Sequence, residues 1–357
     1  MAFVLNNWYV AAWPEEVTRD KILARTICGR AMILFRDAQG KAVGLEDRCC
    51  HREAPLSLGW MEPDATVRCG YHGMRFDGSG ACVEIPGRST IPPSARVDTW
   101  PVHEKHGWIW VWPGDPELAD PALIPAGMAR NDMDGWTSVG STCYVKGHYQ
   151  LIVDNLMDLT HVTFVHQGTL GDPVVLDNPL DVRNDDISVT AERWMINHDP
   201  SPFWKRNLNR KLGKDVMADR WQIIRFEAPS FVMLDNGAAP TGLDVREHPE
   251  RRSEGVESCS LNAITPETED TSWYFWAFSR RFLRDDDTFS ETLRKEIAAV
   301  FDQDRVLVEG THQVMKRNPG RTVIHLQADK AQNIARRMVK KRLDEEAISK
   351  QKQEAVG

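Results

Sequence analysis

Two cysteines and two histidines recur as matched pairs early in the chain, Cys49-x-His51 and Cys69-x2-His72, with seventeen residues between His51 and Cys69. Thiolates and imidazoles at such short spacings make a four-ligand metal site. Zinc accepts two cysteines and two histidines. A [2Fe–2S] cluster accepts the same set differently, with the cysteines on one iron and the histidines on the other, and the imidazoles raise its potential. Zinc sites of this composition normally open with two cysteines and close with two histidines. Here each pair reads Cys first and His second, an order that favours the cluster. Gly70 and Gly73 flank the second pair and suit backbone lying close to sulfide.

A second constellation lies in Asp154–His166, where His161 and His166 stand five apart and Asp158 precedes His161 by three. Two imidazoles and a carboxylate on one face of ferrous iron leave positions open for dioxygen and substrate. His-x4-His alone is equally a pair of core or surface histidines. An upstream electron-transfer cluster needs an acceptor, however, and this segment supplies one. The two motifs explain each other.

The elements that must position these residues differ between the two halves. From Trp8 to Trp112 short β-prone runs alternate with turns: Ala31–Phe35, Ala42–Val43, the turn Asp77-Gly-Ser-Gly80 and the strand-forming His106–Trp112. An all-β module follows, closed by the Pro- and Asp-rich connector after Trp112, with a domain boundary expected near residue 115 (1–115 and 116–357). Beyond it, Tyr149–His166 carries helical spacing that places Asp158 and His161 on one face. Strand runs are expected at Ile187–Val189, Arg220–Phe226, Phe231–Leu234 and Ser272–Phe278, and amphipathic helices at 290–312 and 328–352. The second domain therefore reads as α+β, a sheet wrapped on helices. The charge-rich end of the last helix, Arg336 to Glu346, reads as a solvated face.

The ligand loops, with His51 followed by Arg52, Ala54 and Pro55 and with the run Cys69-Gly-Tyr-His-Gly73, resemble those of Rieske proteins. Coupled to the downstream Asn155/Asp158-to-His166 segment, nearly the whole chain resembles the oxygenase component of Rieske non-haem iron oxygenases, and within them the aromatic O-demethylases of the vanillate and dicamba type. Matching stretches include Asn7–Ala11, Trp110–Asp115, Asp154–Thr160, Asp219–Gln222 and Trp273–Trp276. One residue departs from the pattern: Cys50 stands where Rieske proteins usually carry proline. It reads as a buried small hydrophobe, with competition as a ligand or oxidation as the sharper alternative.

The resemblance implies an N-terminal Rieske [2Fe–2S] domain and a helix-grip-like catalytic domain with mononuclear Fe(II). It implies Cys49, His51, Cys69 and His72 as cluster ligands and His161 and His166 as iron ligands. The third iron ligand comes from a late helix, where Asp304 fits the family position and Asp302 is its rival on another helix face. The residue matching Asp158 bridges His161 to the second cluster histidine, His72, of a neighbouring subunit, which implies a homotrimer. Asn155, a turn earlier, positions the site or acts as a distant ligand. The implied activity is oxidative O-demethylation of a methoxylated aromatic acid using O2, with NAD(P)H consumed only by a separate ferredoxin or flavin reductase. Hydroxylation of an aryl methyl group, N-demethylation, ring dioxygenation and simple electron transfer are the alternatives. Arg220, Trp221, Arg225, Trp273 and Trp276 are candidates for the substrate pocket.

Composition bounds these readings. A chain of 357 residues supplies two cores. A net charge of −8 argues against a nucleic-acid partner. No apolar run approaches a membrane span, and the N-terminus lacks the basic start of a secretory signal. The seven cysteines make no disulfide framework, so a cytoplasmic protein with reduced thiols is expected.

Overall fold

Short strands separated by turns bury little surface singly, so they must stack around shared cores. The computed structural model describes residues 3–354. Its first unit runs to Ile124 and includes Thr265–Glu269; its second comprises Pro125–Ile264 and resumes at Asp270. The first holds β1 (Tyr9–Ala12), β2 (Leu23–Ile27), β3 (Arg30–Arg36), β4 (Ala42–Glu46), β5 (Trp60–Met61), β6 (Val67–Arg68), β7 (Arg75–Phe76), β8 (Cys82–Glu84), β9 (Thr99–Trp100), β10 (Val102–Lys105) and β11 (Trp108–Val111). They form sheets in the orders β2-β3-β4-β9, β1-β11-β10 and β5-β6-β7-β8.

Strand β3 shows why this sequence folds so. Its side chains alternate between faces, and both faces are covered. Ile33 and Phe35 join the core that contains Cys49 and Cys69, while Met32 and Leu34 join a second core with Tyr9 and Ile109. A fully apolar run is what a strand between two cores requires.

The connector after Trp112 belongs to this unit up to Ile124, beyond the boundary expected near residue 115. Trp8 Nε1 donates to the Asp120 carbonyl at 2.8 Å. Asp115 and Asp120 each cap a short 3-10 turn by accepting from Glu117 and Ala122 backbone N–H. Turn-forming residues thus end the strand without ending the domain.

The second unit is built on a seven-stranded sheet ordered β12-β18-β17-β16-β15-β14-β13. Its strands are β12 (Thr137–Val145), β13 (Asp181–Asn184), β14 (Ser188–His198), β15 (Ala218–Glu227), β16 (Phe231–Pro240), β17 (Val256–Pro266) and β18 (Ser272–Arg280). The helices are α1 (Tyr149–Met157), α2 (Val162–Val165), α3 (Val174–Asp177), α4 (Pro202–Leu212), α5 (Asp287–Arg317) and α6 (Lys330–Glu354). Helix α5 starts where Asp286 accepts from the Phe289 N–H. Its buried residues, Phe289, Leu293, Ile297, Val300, Asp304, Val308 and His312, fall every three or four positions on one face. Phe301 on α5 packs against Tyr274 and Trp276 of β18.

Strands β12 and β17 and helix α4 are absent from the sequence expectations. Strand β17 is buried throughout although it carries Glu257, Ser258, Ser260 and Asn262. Glu257, Ser258 and Asn262 are paired: Arg281 donates to Glu257, Ser258 to Asn236, Tyr274 Oη to Asn262 Oδ1 at 2.7 Å, and Asn262 Nδ2 to the Val232 carbonyl at 2.9 Å. Satisfied polar residues are compatible with a core, but they erase the alternation by which strands are read.

Helix α6 is mostly a solvated charged surface, as expected, with Ala331, Ala335 and Val339 as its buried stripe. Arg336 is the exception, paired with Asp154 on α1. All seven cysteines are free thiols. No helix among the described residues is long and apolar enough to cross a membrane.

Candidate metal centres and catalytic pocket

Cys49 and Cys69 open two turns with the same hydrogen-bond pattern. In the first, Cys49 N–H donates to the Ala54 carbonyl at 2.9 Å and Glu53 N–H to the Cys49 carbonyl at 2.9 Å. In the second, Cys69 N–H donates to Met74 at 2.8 Å and Gly73 N–H to Cys69 at 3.1 Å. The closing residue of each has a left-handed backbone, φ 58° at Glu53 and 73° at Gly73. Glycine adopts that conformation freely. A Cβ at Gly70 would lie 2.6 Å from the Leu58 carbonyl oxygen, so the turn requires glycine there.

Both thiols are buried, and both imidazoles are exposed with ring centroids 4.6 Å apart. Burial, and then the neighbouring Cys69 thiol, push the Cys49 thiol up to about 12. The Cys49 thiolate therefore needs a cation to form, which is what an iron cluster provides. The donor set fits it, with soft sulfur inside and nitrogen at the surface. Cys50 is exposed, not the buried hydrophobe expected, because the turn directs its neighbour Cys49 into the core.

The segment Tyr149–His166 is not one helix. Helix α1 ends at Met157, and Asp158 takes an extended backbone with φ −127° and ψ 102°. Its carboxylate then accepts from the Thr160 N–H at 2.9 Å and hydroxyl at 3.0 Å, capping a 3-10 turn over Leu159–His161. Aspartate competes well for local backbone donors, so it breaks a helix by restarting another. The side chain of Asp158 consequently does not take the imidazole N–H. His161 Nδ1 instead donates to the Asp158 carbonyl at 2.6 Å.

His161 and His166 meet Asp304 from α5. Each Nε2 lies 3.3 Å from Asp304 Oδ1, and the three ligand atoms fall within 4.8 Å of one another. Asn155 Nδ2 donates to the same oxygen at 3.2 Å. Asp302 is turned outward and pairs with Arg305 at 2.7 Å.

The outer ring nitrogens decide what the inner ones can be. His161 Nδ1 is spent on a carbonyl and His166 Nδ1 on Gln303 Oε1 at 2.8 Å, both acceptors, so each Nδ1 carries the proton. In a neutral ring the Nε2 lone pair then faces a carboxylate oxygen. Two acceptors so placed need a proton or a cation between them. Burial alone would raise the Asp304 carboxyl, yet the two imidazoles hold it at about 2. The set is built to share a positive charge, and a divalent metal supplies one. Gln303 was not foreseen in the sequence; its place beside a ligand on the inner face of α5 is its signal.

These residues floor a pocket of about 710 Å³, its mouth included. Its walls are largely apolar, with Leu159, Leu170, Phe203, Trp204, Phe278 and Ile297 among them. Of the five candidates for substrate contact, Arg220 lines it. Trp221 donates to Asp235 at 2.8 Å, Arg225 pairs with Glu227 at 2.8 Å, Trp273 packs on Tyr144 and Trp276 on Phe301. These four serve the sheet.

Residues 7–101 match the Rieske [2Fe-2S] domain and residues 145–345 the vanillate O-demethylase oxygenase C-terminal domain. The chain belongs to the Rieske non-haem iron oxygenases. This oxygenase component is 38% identical to the iron–sulfur subunit of the toluene-4-sulfonate monooxygenase system of Comamonas testosteroni, over 94% of this chain and 95% of that one. It is 36% identical to the vanillate O-demethylase oxygenase subunit of Pseudomonas sp. strain HR199, over 94% of each. The crystal structure of dicamba monooxygenase with non-haem iron and dicamba superposes with a TM-score of 0.83 at 33% identity, covering 98% of this chain and 100% of that one. The cofactors of this Rieske oxygenase are accordingly a [2Fe–2S] cluster and a non-haem iron.

Proposed function

We propose that this Rieske oxygenase removes the methyl group of a methoxylated, vanillate-like aromatic acid, with O2 as cosubstrate and electrons from a separate ferredoxin or flavin reductase that alone consumes NAD(P)H. The observation that carries the reading is the convergence of His161, His166 and Asp304 at the floor of an apolar pocket. The likeness to the vanillate and dicamba enzymes supports it.

In this reading His161, His166 and Asp304 hold the iron, while Cys49, His51, Cys69 and His72 hold the cluster. Bound there, iron supplies dioxygen activation and the cluster supplies electrons. The chain contributes placement. Asn155 fixes Asp304, Gln303 and the Asp158 carbonyl fix the two imidazoles, and the apolar walls hold the ring and exclude water. Oxygen insertion at the methoxy carbon gives a hemiacetal, which collapses to a phenol and formaldehyde without a second site.

A homotrimer completes the arrangement, with the Asp158 carboxylate of one subunit meeting His72 of the next. Exposed Leu58, Trp60 and Tyr71 close to the cluster histidines in sequence support a covered face there. Free thiols and an NAD(P)H-linked electron supply support a cytoplasmic setting.

The likeness to the toluene-4-sulfonate system favours a second reading, hydroxylation of an aryl methyl group. Product analysis with a generic reductase, NADH and a panel of methoxybenzoates and methylated aryl acids separates the two. Formaldehyde equal to the phenol formed is expected. A benzylic alcohol without formaldehyde overturns demethylation in favour of methyl hydroxylation.

A further inference from the structure

Besides Asp304 and its two histidines, the pocket wall contains one ionisable side chain, Arg220, which is 2% exposed. It stands on β15 two residues before Gln222, and alternation along a strand turns both to the same face. The guanidinium lies over the Trp204 ring, 4.9 Å from its centroid. Its Nη1 donates to Asp172 Oδ2 at 2.8 Å, an oxygen that also meets His198 Nε2 at 3.3 Å. Arg220 Nε, Gln222 Oε1 and Trp204 Nε1, all on residues of the pocket wall, are buried without a hydrogen-bond partner among the described residues.

Buried polar groups are normally paired, so orphaned ones in a cavity wall point to a ligand. The guanidinium plane offers forked N–H donors that fit an oxyanion, and Asp172 engages Nη1 while Nε stays free. Charge agrees. Ferrous iron against Asp304, with Arg220 and Asp172 cancelling, leaves one positive charge in the site, which a monoanion neutralises.

We infer that Arg220 receives the anionic head group of the substrate at its Nε edge, and so selects aryl monoanions, carboxylates or sulfonates, over neutral aromatics. The inference rests on the reading of this cavity as the substrate pocket. Arg220 is a specificity-determining residue, and Asp172 holds its guanidinium in place.

Calorimetric titration of the full-length holoprotein under anaerobic conditions tests this with 3-methoxybenzoate, 3-methoxybenzenesulfonate and the neutral isostere 3-methoxybenzamide. The wild type is expected to bind at least one anion about 10–100-fold more tightly than the amide, the range for a hydrogen bond to a charged group. Whichever anion binds more tightly identifies the head group. Arg220→Gln should lose that preference while its affinity for the amide and its iron content stay near wild type. A wild type that binds the amide as tightly as both anions overturns the inference, even if the variant fails to fold. Equal weakening of all three ligands in the variant also overturns it, since Arg220 would then only anchor the segment after His166.

Formaldehyde release is scored separately. Arg220-dependent binding of acids that yield no formaldehyde removes the demethylase reading and keeps the anion subsite. Demethylation of neutral methoxyarenes with no preference for acids does the reverse.

Discussion

The proposed cluster ligands sit on two turns whose hydrogen bonds repeat, each closed within six residues of chain, whereas His161, His166 and Asp304 come from a broken helix and a long helix far apart in sequence. The first set is local, and its shape is dictated by a few backbone bonds and one left-handed residue per turn. The second exists only once α5 has packed beside the segment after α1. Exposure divides them as well: the His51 and His72 imidazoles face solvent, while His166 and Asp304 are buried. A ligand set that hands on electrons needs an open edge; one that handles oxygen needs to be dry.

The comparison can be broken most directly at Asp304. Asp304→Ala is expected to abolish iron binding and turnover while the cluster's visible and paramagnetic signals persist, checked by metal analysis and electron paramagnetic resonance. Loss of the cluster signal as well would show that the two sets do not form independently. The converse variant, Cys69→Ser, is expected to remove the cluster and all reductase-driven turnover yet retain iron in the second unit. Iron lost together with the cluster defeats the comparison from the other side.

Smaller changes sharpen it. Gln303→Leu takes away the acceptor on His166 Nδ1 and is expected to weaken iron about 10–100-fold, as loss of such outer hydrogen bonds does; an unchanged affinity by competition with a chelator would mean that the Gln303 bond does not orient the ring. Gly73→Ala forces a side chain into the left-handed conformation that Glu53 already tolerates. It should cost about 1 kcal/mol in denaturant melts, and a far greater loss would show that the two turns are not equivalent.

The same contrast explains what could be read from sequence. The cysteine and histidine pairs were legible because turn-bound ligands keep their spacing whatever surrounds them. The apolar run of β3 and the amphipathic pattern of α5 were legible for a related reason, but the choice of Asp304 over Asp302 came from the family resemblance; in the structure Asp304 falls on the buried face with Leu293, Ile297 and Val300. The break at Asp158 was not legible, because its neighbours keep helical spacing and only the aspartate's bond to Thr160 decides against the helix. Strand β17 hid behind serine and asparagine whose partners lie on other strands. The pocket role of Arg220, against the sheet roles of Trp221 and Trp276, depended on which strand face meets the cavity, a tertiary fact.

The interruption at Asp158 has a consequence for how such an enzyme can change. In an unbroken helix the carbonyl of residue 158 would be spent on the N–H of Val162; here Val162 bonds back to Leu159 and Thr160, and the Asp158 carbonyl is released to His161. A single position therefore does two things at once: its carboxylate makes the bend by capping the turn at Thr160, and its backbone oxygen, freed by that bend, holds the His161 ring. A side chain there that cannot accept from Thr160 would let the helix run on, spend the carbonyl on Val162 and leave His161 Nδ1 without its acceptor.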